Sequence, residues 1–140
     1  MIQEFTFASD FHELRCLRER IKEFCCGIGD LQQRSEFIDA IIMGVNEAAS
    51  NVMEHAYGCL PDGWIQAQFA AVERRIEITL THAGSGFDRE QVAPPSFDGS
   101  RDGGFGVFIM EHIFDAVAYE ELDNGAHRIR MQKSFDSPGL

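Results

Sequence analysis

The sequence predicts an α+β fold of two layers, an antiparallel sheet covered by helices on one side only. Two neighbouring segments, Trp64 to Val72 and Arg75 to Thr81, alternate apolar and polar residues with just Glu73-Arg74 between them, the pattern of a hairpin. Their apolar sets are Ile65, Ala67, Phe69 and Ala71 on one strand and Ile76, Ile78 and Leu80 on the other, so one face is apolar and the other polar. Two longer segments repeat apolar residues at helical spacing and supply the covering layer.

The elements follow in order. Residues 2–7, Ile-Gln-Glu-Phe-Thr-Phe, alternate and predict a first strand. Asp10-Phe-His-Glu13 has the form of a capping box, in which an acidic cap satisfies the free N–H groups of a first helical turn. The helix it opens carries Leu14, Leu17, Ile21, Phe24, Cys25 and Ile28 on one face and ends near Gly27-Ile28-Gly29. A second helix begins around Ser35 and stops at Gly58, with Pro61 just beyond. After the hairpin, residues 83–104 lose all periodicity, and a loop of that length in a compact domain is more often a functional lid than filler. A third helix, Phe105 to Phe114, is followed by strands Ala116–Glu121 and His127–Lys133, joined by a turn at Asp123-Asn124-Gly125. No repeat, linker or second unit interrupts residues 1–140, which read as a single domain.

Composition narrows the function. The 140 residues, 44% hydrophobic with twelve Phe, suffice for one domain with its own core. No apolar run approaches the roughly 18 residues of a membrane span. Glu4 within the first seven residues argues against a signal peptide, so a soluble cytoplasmic protein without membrane attachment is expected. The net charge of −11 repels phosphate backbones, which argues against direct nucleic-acid binding and suits a basic protein segment as partner. The alternative is that the acidity only aids solubility. The cysteines Cys16, Cys25, Cys26 and Cys59 form no C-x-x-C pair, and free buried thiols are expected in place of a metal site.

The most informative stretch is Glu47 to Tyr57. It sets a carboxylate, a carboxamide and an imidazole (Glu47, Asn51 and His55) at i, i+4 and i+8 of one helix. Beside them runs an apolar stripe of Ile38, Ile41, Ile42, Val45, Ala49, Val52, Met53 and Ala56. A carboxylate can activate a hydroxyl, and an amide oxygen can ligate a hard cation such as Mg²⁺, so this edge has the makings of half a phosphoryl-transfer site. Two glycine clusters supply candidates for the other half. Gly84-Ser85-Gly86 follows a strand, where glycine lets backbone approach a ligand closely. Gly103-Gly104-Phe105-Gly106 opens a helix, whose free N–H groups favour phosphate.

In this order and spacing the three segments resemble the GHKL-type ATPase domains of histidine kinases, gyrase-like ATPases and anti-sigma-factor serine/threonine kinases, most nearly the last. The helix matches the family's N-box, E-A-x-x-N-x-x-x-H-A-Y, at Glu47, Ala48, Asn51, His55, Ala56 and Tyr57. Gly84-Ser85-Gly86-Phe87-Asp88 is similar to the first glycine box, and Gly103 to Met110, followed by Asp115, to the second box and its helix. The resemblance implies a two-layer α/β sandwich with a mixed, mostly antiparallel sheet, and residues 83–104 as a nucleotide lid. It implies Glu47 as general base and Asn51 as Mg²⁺ ligand. ATP would be held by Asn51, His55, His82, Gly84, Gly86, Arg101, Gly103, Gly104 and Gly106. It further implies a sigma factor and a STAS-type antagonist as protein partners, and pairing into a homodimer. For His55 a packed or helix-capping role is an equal alternative to the phosphate pocket.

Two positions depart from the family pattern. The first glycine box reads D-x-G-x-G, with its Asp accepting the adenine amine, and His82 stands at that Asp. A basic residue usually precedes the second box, and here the slot is Asp102, with Arg101 one place earlier. Two readings therefore stand at the level of sequence. One is an ATP-dependent serine/threonine kinase that sequesters a sigma factor and phosphorylates a STAS-type antagonist. The other is a non-catalytic binding regulator that kept the fold and lost the nucleotide.

Overall fold

The computed structural model describes residues 1–58, 63–83 and 105–137. Five strands, β1 (Ile2–Ala8), β2 (Trp64–Val72), β3 (Arg75–His82), β4 (Ala116–Glu121) and β5 (His127–Ser134), form one sheet in the order β1-β2-β3-β5-β4. Every pairing among them is antiparallel. Strand alternation decides which face is covered. Phe7, Ile65, Ala67, Phe69, Ile76, Ile78, Leu80, Ile129 and Met131 all point to one side and are buried. At about 1.5–3 kcal/mol for each large side chain withdrawn from water, this face drives the assembly of the two layers. The opposite face is polar: Gln66 donates to Glu4 at 2.8 Å, Gln132 to Glu77 at 2.7 Å, and Arg130 pairs with Glu120 at 3.3 Å.

The covering layer is α1 (Leu14–Cys26), α2 (Ser35–Asn51) and α3 (Phe105–Ile113). Leu14, Leu17, Ile21, Phe24 and Cys25 of α1 are buried as their spacing predicts. Cys16 and Cys26 fall off that stripe and are exposed free thiols, so the expectation of buried thiols holds for Cys25 alone among the described cysteines. Burial pushes the Cys25 thiol up to about 12. Asp10 does cap the chain, accepting from His12 N–H at 2.9 Å, but it opens a 3-10 turn at Phe11–Glu13 ahead of α1. Where α2 crosses the chain after α3, the lack of a side chain at Gly44 matters. A Cβ there would stand 2.5 Å from Phe114 Cε2, closer than two carbons can approach.

The hairpin between β2 and β3 is as short as the sequence predicts. Its two turn residues, Glu73 (φ 50°) and Arg74 (φ 64°), both take the left-handed conformation that a two-residue turn of the I′ kind requires. Arg74 is tied down by Asp30 at 3.3 Å and Asp136 at 3.2 Å.

Candidate functional site

Glu47 and Asn51 lie one turn apart on α2, both half-buried, at the border between its core-facing stripe (Ala48 and Ala49) and solvent. Next to Glu47, Asn46 accepts from Arg18 of α1 at 2.8 Å, which fixes the two helices against each other beside the carboxylate. The Nδ2 of Asn51 is sealed from solvent and has no hydrogen-bond partner among the described residues. A buried amide nitrogen in that state costs about 1–3 kcal/mol, so the fold carries Asn51 here at the expense of stability.

Directly after Asn51 the helix widens. Val52–Ala56 form a π turn, closed by Tyr57 N–H donating to the Val52 carbonyl at 3.2 Å, a bond five residues long. Such turns are rare and cluster at functional sites. His55, four residues on from Asn51, lies within this wider turn. It is exposed, with Nε2 4.0 Å from Glu54. The π turn ends at Tyr57, and Gly58 (φ 60°) stops the helix where the sequence predicts.

Tyr57 joins this helix end to the sheet. Its hydroxyl donates to the Trp64 carbonyl at 2.8 Å and accepts from Ala83 N–H at 2.8 Å. Its ring meets His82 edge-on, with centroids 6.0 Å apart. A Cβ on Gly63 would be 2.5 Å from the Tyr57 ring, so glycine is needed for the chain to pass. His82 is the last residue of β3, on the covered face and 1% exposed. It stacks on His127, its register partner on β5, with centroids 5.7 Å apart and planes 27° from parallel. Burial, and secondarily the neighbouring His127, push the His82 imidazole down to about 4, so the ring is neutral at physiological pH. Its Nδ1 is sealed and has no hydrogen-bond partner among the described residues.

Gly84, Gly86, Arg101, Gly103 and Gly104 lie outside the described residues, and Gly106 falls in the first turn of α3. The other end of α3 is firmly held. Lys133 Nζ donates to the Ile113 carbonyl at 2.8 Å, and Asp115 accepts from Ser134 N–H at 2.7 Å.

A model of the histidine kinase-like ATPase domain matches residues 7–133, nearly the whole chain. The chain belongs to this family. Among curated relatives, the serine-protein kinase RsbW of Oceanobacillus iheyensis is 32% identical over 59% of this chain and 57% of its own length. That of Halalkalibacterium halodurans is 36% identical over 63% and 57%. The anti-sigma F factor of Clostridium novyi is 30% identical over 79% of this chain and 80% of its own length. The chain thus spans less than two thirds of the length of the serine-protein kinases it matches. Among solved structures, the histidine kinase domain of the Erythrobacter litoralis EL346 blue-light activated kinase covers 89% of this chain at a TM-score of 0.55 and 14% identity. That structure is matched over 60% of its own length. The mycobacterial sensor histidine kinase MprB covers 94%, and is itself covered over 97%, at 0.54 and 12%. At those identities the likeness is one of fold. No helix among the described residues is long and apolar enough to cross a membrane.

An ATPase domain needs groups for a nucleotide and its metal, and the described residues fit that need. Asn51 offers a carboxamide oxygen, a hard donor of the kind Mg²⁺ takes, on a side chain whose nitrogen is unpartnered. Two contributors to this end of the molecule were not singled out for a site role from sequence. One is Tyr57, named only as part of the N-box. The other is His127, whose place under His82 depends on β5 lying next to β3, a neighbour relation that crosses α3 and β4.

Proposed function

We propose that this domain binds Mg²⁺-ATP and phosphorylates a serine or threonine of a protein partner, in the manner of an anti-sigma-factor kinase. The observation that carries the reading is the α2 edge: a half-buried Glu47 one turn before an Asn51 kept with a sealed, unpartnered amide. Glu47 accepts the proton of the attacking hydroxyl as its oxygen bonds to the γ-phosphorus and the bond to the β,γ-bridging oxygen breaks, releasing ADP. Asn51 holds the metal, which neutralises charge on the phosphates. The glycine segments at 84–86 and 103–106 are suited to backbone contacts with phosphate. The names of the relatives, a serine-protein kinase and an anti-sigma F factor, support a protein serine as phosphoryl acceptor and a sigma factor as the sequestered partner, and the STAS-type antagonist that the family resemblance implies belongs to the same reading. An acidic chain of net charge −11 suits a basic segment of such a factor, and a homodimer and a cytoplasmic setting belong to the same reading.

Calorimetric titration with Mg²⁺-ATP tests it. Binding should be present in the wild type and lost or much weakened in Asn51→Ala. Glu47→Ala should keep binding and lower phosphoryl transfer to the antagonist by about 10²–10⁴-fold. Unimpaired transfer in Glu47→Ala removes that residue from the base role.

His82 favours a second reading, a partner-binding regulator without nucleotide, because a neutral buried imidazole stands where the family pattern has an acceptor carboxylate. Absence of any calorimetric or thermal-shift response at millimolar ATP decides for it.

A further inference from the structure

We propose that His82 sets the base preference of this site and admits purine nucleotides bearing either an amino or an oxo group at position 6. The inference rests on the nucleotide-binding reading above and narrows its substrate class. His82 is 1% exposed, yet its Nδ1 has no hydrogen-bond partner among the described residues. A buried polar atom in that state is costly, and an apolar side chain would remove the cost, so the unmet bond needs an explanation that a polar ligand group would supply. The ring that carries it is already positioned. His127 stacks beneath it, the Tyr57 ring abuts it edge-on, and Tyr57 is pinned in turn through its hydroxyl to Trp64 and Ala83. A recognition atom held this way loses little freedom when a ligand engages it.

The chemistry of the ring decides what it can engage. A carboxylate at this place only accepts hydrogen bonds, which suits a 6-amino group and repels a 6-oxo group. A neutral imidazole carries one donor nitrogen and one acceptor nitrogen. With the proton on Nε2, Nδ1 accepts from a 6-amino group; with the proton on Nδ1, it donates to a 6-oxo group. Among the described residues no hydrogen bond to the His82 ring fixes either tautomer, and His127 contributes a stacking face. Burial keeps the ring neutral, so both tautomers are available at physiological pH.

The test compares ATP with inosine triphosphate, each with Mg²⁺, by calorimetry on the full chain, with a thermal melt as the folding control. In the wild type the two dissociation constants should agree within about threefold. His82→Asp should favour ATP by about tenfold or more, mainly through loss of the inosine nucleotide. His82→Asn, which again offers a donor and an acceptor, should return the ratio toward one. A wild type that prefers ATP by tenfold, or a ratio unmoved in His82→Asp, overturns the proposal. So does a wild type that binds neither nucleotide while His82→Asp binds ATP, an outcome that leaves the site's nucleotide chemistry standing. If neither protein binds either nucleotide, the nucleotide-binding reading falls and the proposal with it.

Discussion

Lys133 and His82 occupy opposite ends of the covered face of one sheet, on the adjacent strands β5 and β3, and are 3% and 1% exposed. Both are polar groups placed where apolar ones would pack. Their surroundings differ in kind. Lys133 donates to the Ile113 carbonyl, lies 5.4 Å from the centre of the Phe37 ring, and has Asp115 nearby to favour its charge. Burial, with Arg34 in support, still pulls its ammonium below the ordinary lysine value. His82 has ring neighbours but, among the described residues, no partner for Nδ1. A buried polar group whose bonds are made inside the protein acts as structure, and one whose bond is unmet carries a cost that the fold alone does not explain.

The largest effect should come from the satisfied end. Lys133→Ala removes a buried donor to the end of α3 and leaves a cavity beside Phe37. It should cost about 3 kcal/mol in urea denaturation. Lys133→Met restores the packed volume and should recover part of that loss. A cost below about 1 kcal/mol for Lys133→Ala would erase the distinction between the two ends.

At the open end, pH provides the next effect. The His82 imidazole is lowered from its ordinary 6.5 to about 4 in the fold. Between those values the unfolded chain binds a proton that the folded chain does not. Stability is therefore complete above pH 6.5 and falls as pH drops toward 4, by up to about 3 kcal/mol. His82→Phe should abolish this acid limb and, by removing an unpartnered nitrogen while keeping the stack on His127, stabilise the protein at pH 7 by about 1 kcal/mol. Its sign is opposite to that of any Lys133 substitution. An acid limb that persists unchanged in His82→Phe would assign the proton to another group.

The two ends were unequally legible in the sequence. Lys133 entered the sequence reading only as the end of the last strand, but its place follows from alternation, since Ile129, Met131 and Lys133 are two apart and share one face. The helices, the hairpin and the Glu47–Asn51 edge were legible for the same reason, since each is a local pattern of fixed period. His82 was recognisable as a departure from a family motif, but its stack on His127 was not, because that pairing depends on strand order. The π turn after Asn51 was equally hidden. Val52 to Ala56 continue the apolar pattern of an ordinary helix, and only the five-residue bond from Tyr57 to Val52 marks the change.

The smallest expected effect tests whether strain at the structural end is also met internally. Glu73 and Arg74 both carry positive φ, which costs residues with a Cβ about 1–2 kcal/mol each. At Arg74 the Phe135 N–H that donates to its carbonyl at 2.8 Å offsets this, while its side-chain pairs with Asp30 and Asp136 are exposed and add little. Glu73 has only an exposed pair with Arg75 at 3.5 Å, a contact of little worth in water. Asparagine tolerates this conformation better, so Glu73→Asn should raise stability by about 0.5 kcal/mol with nucleotide affinity unchanged. A loss of stability would mean that the Glu73 side chain contributes more than its exposed pairing indicates. The cost at Glu73 would then also be met inside the protein, and the contrast with His82 would sharpen.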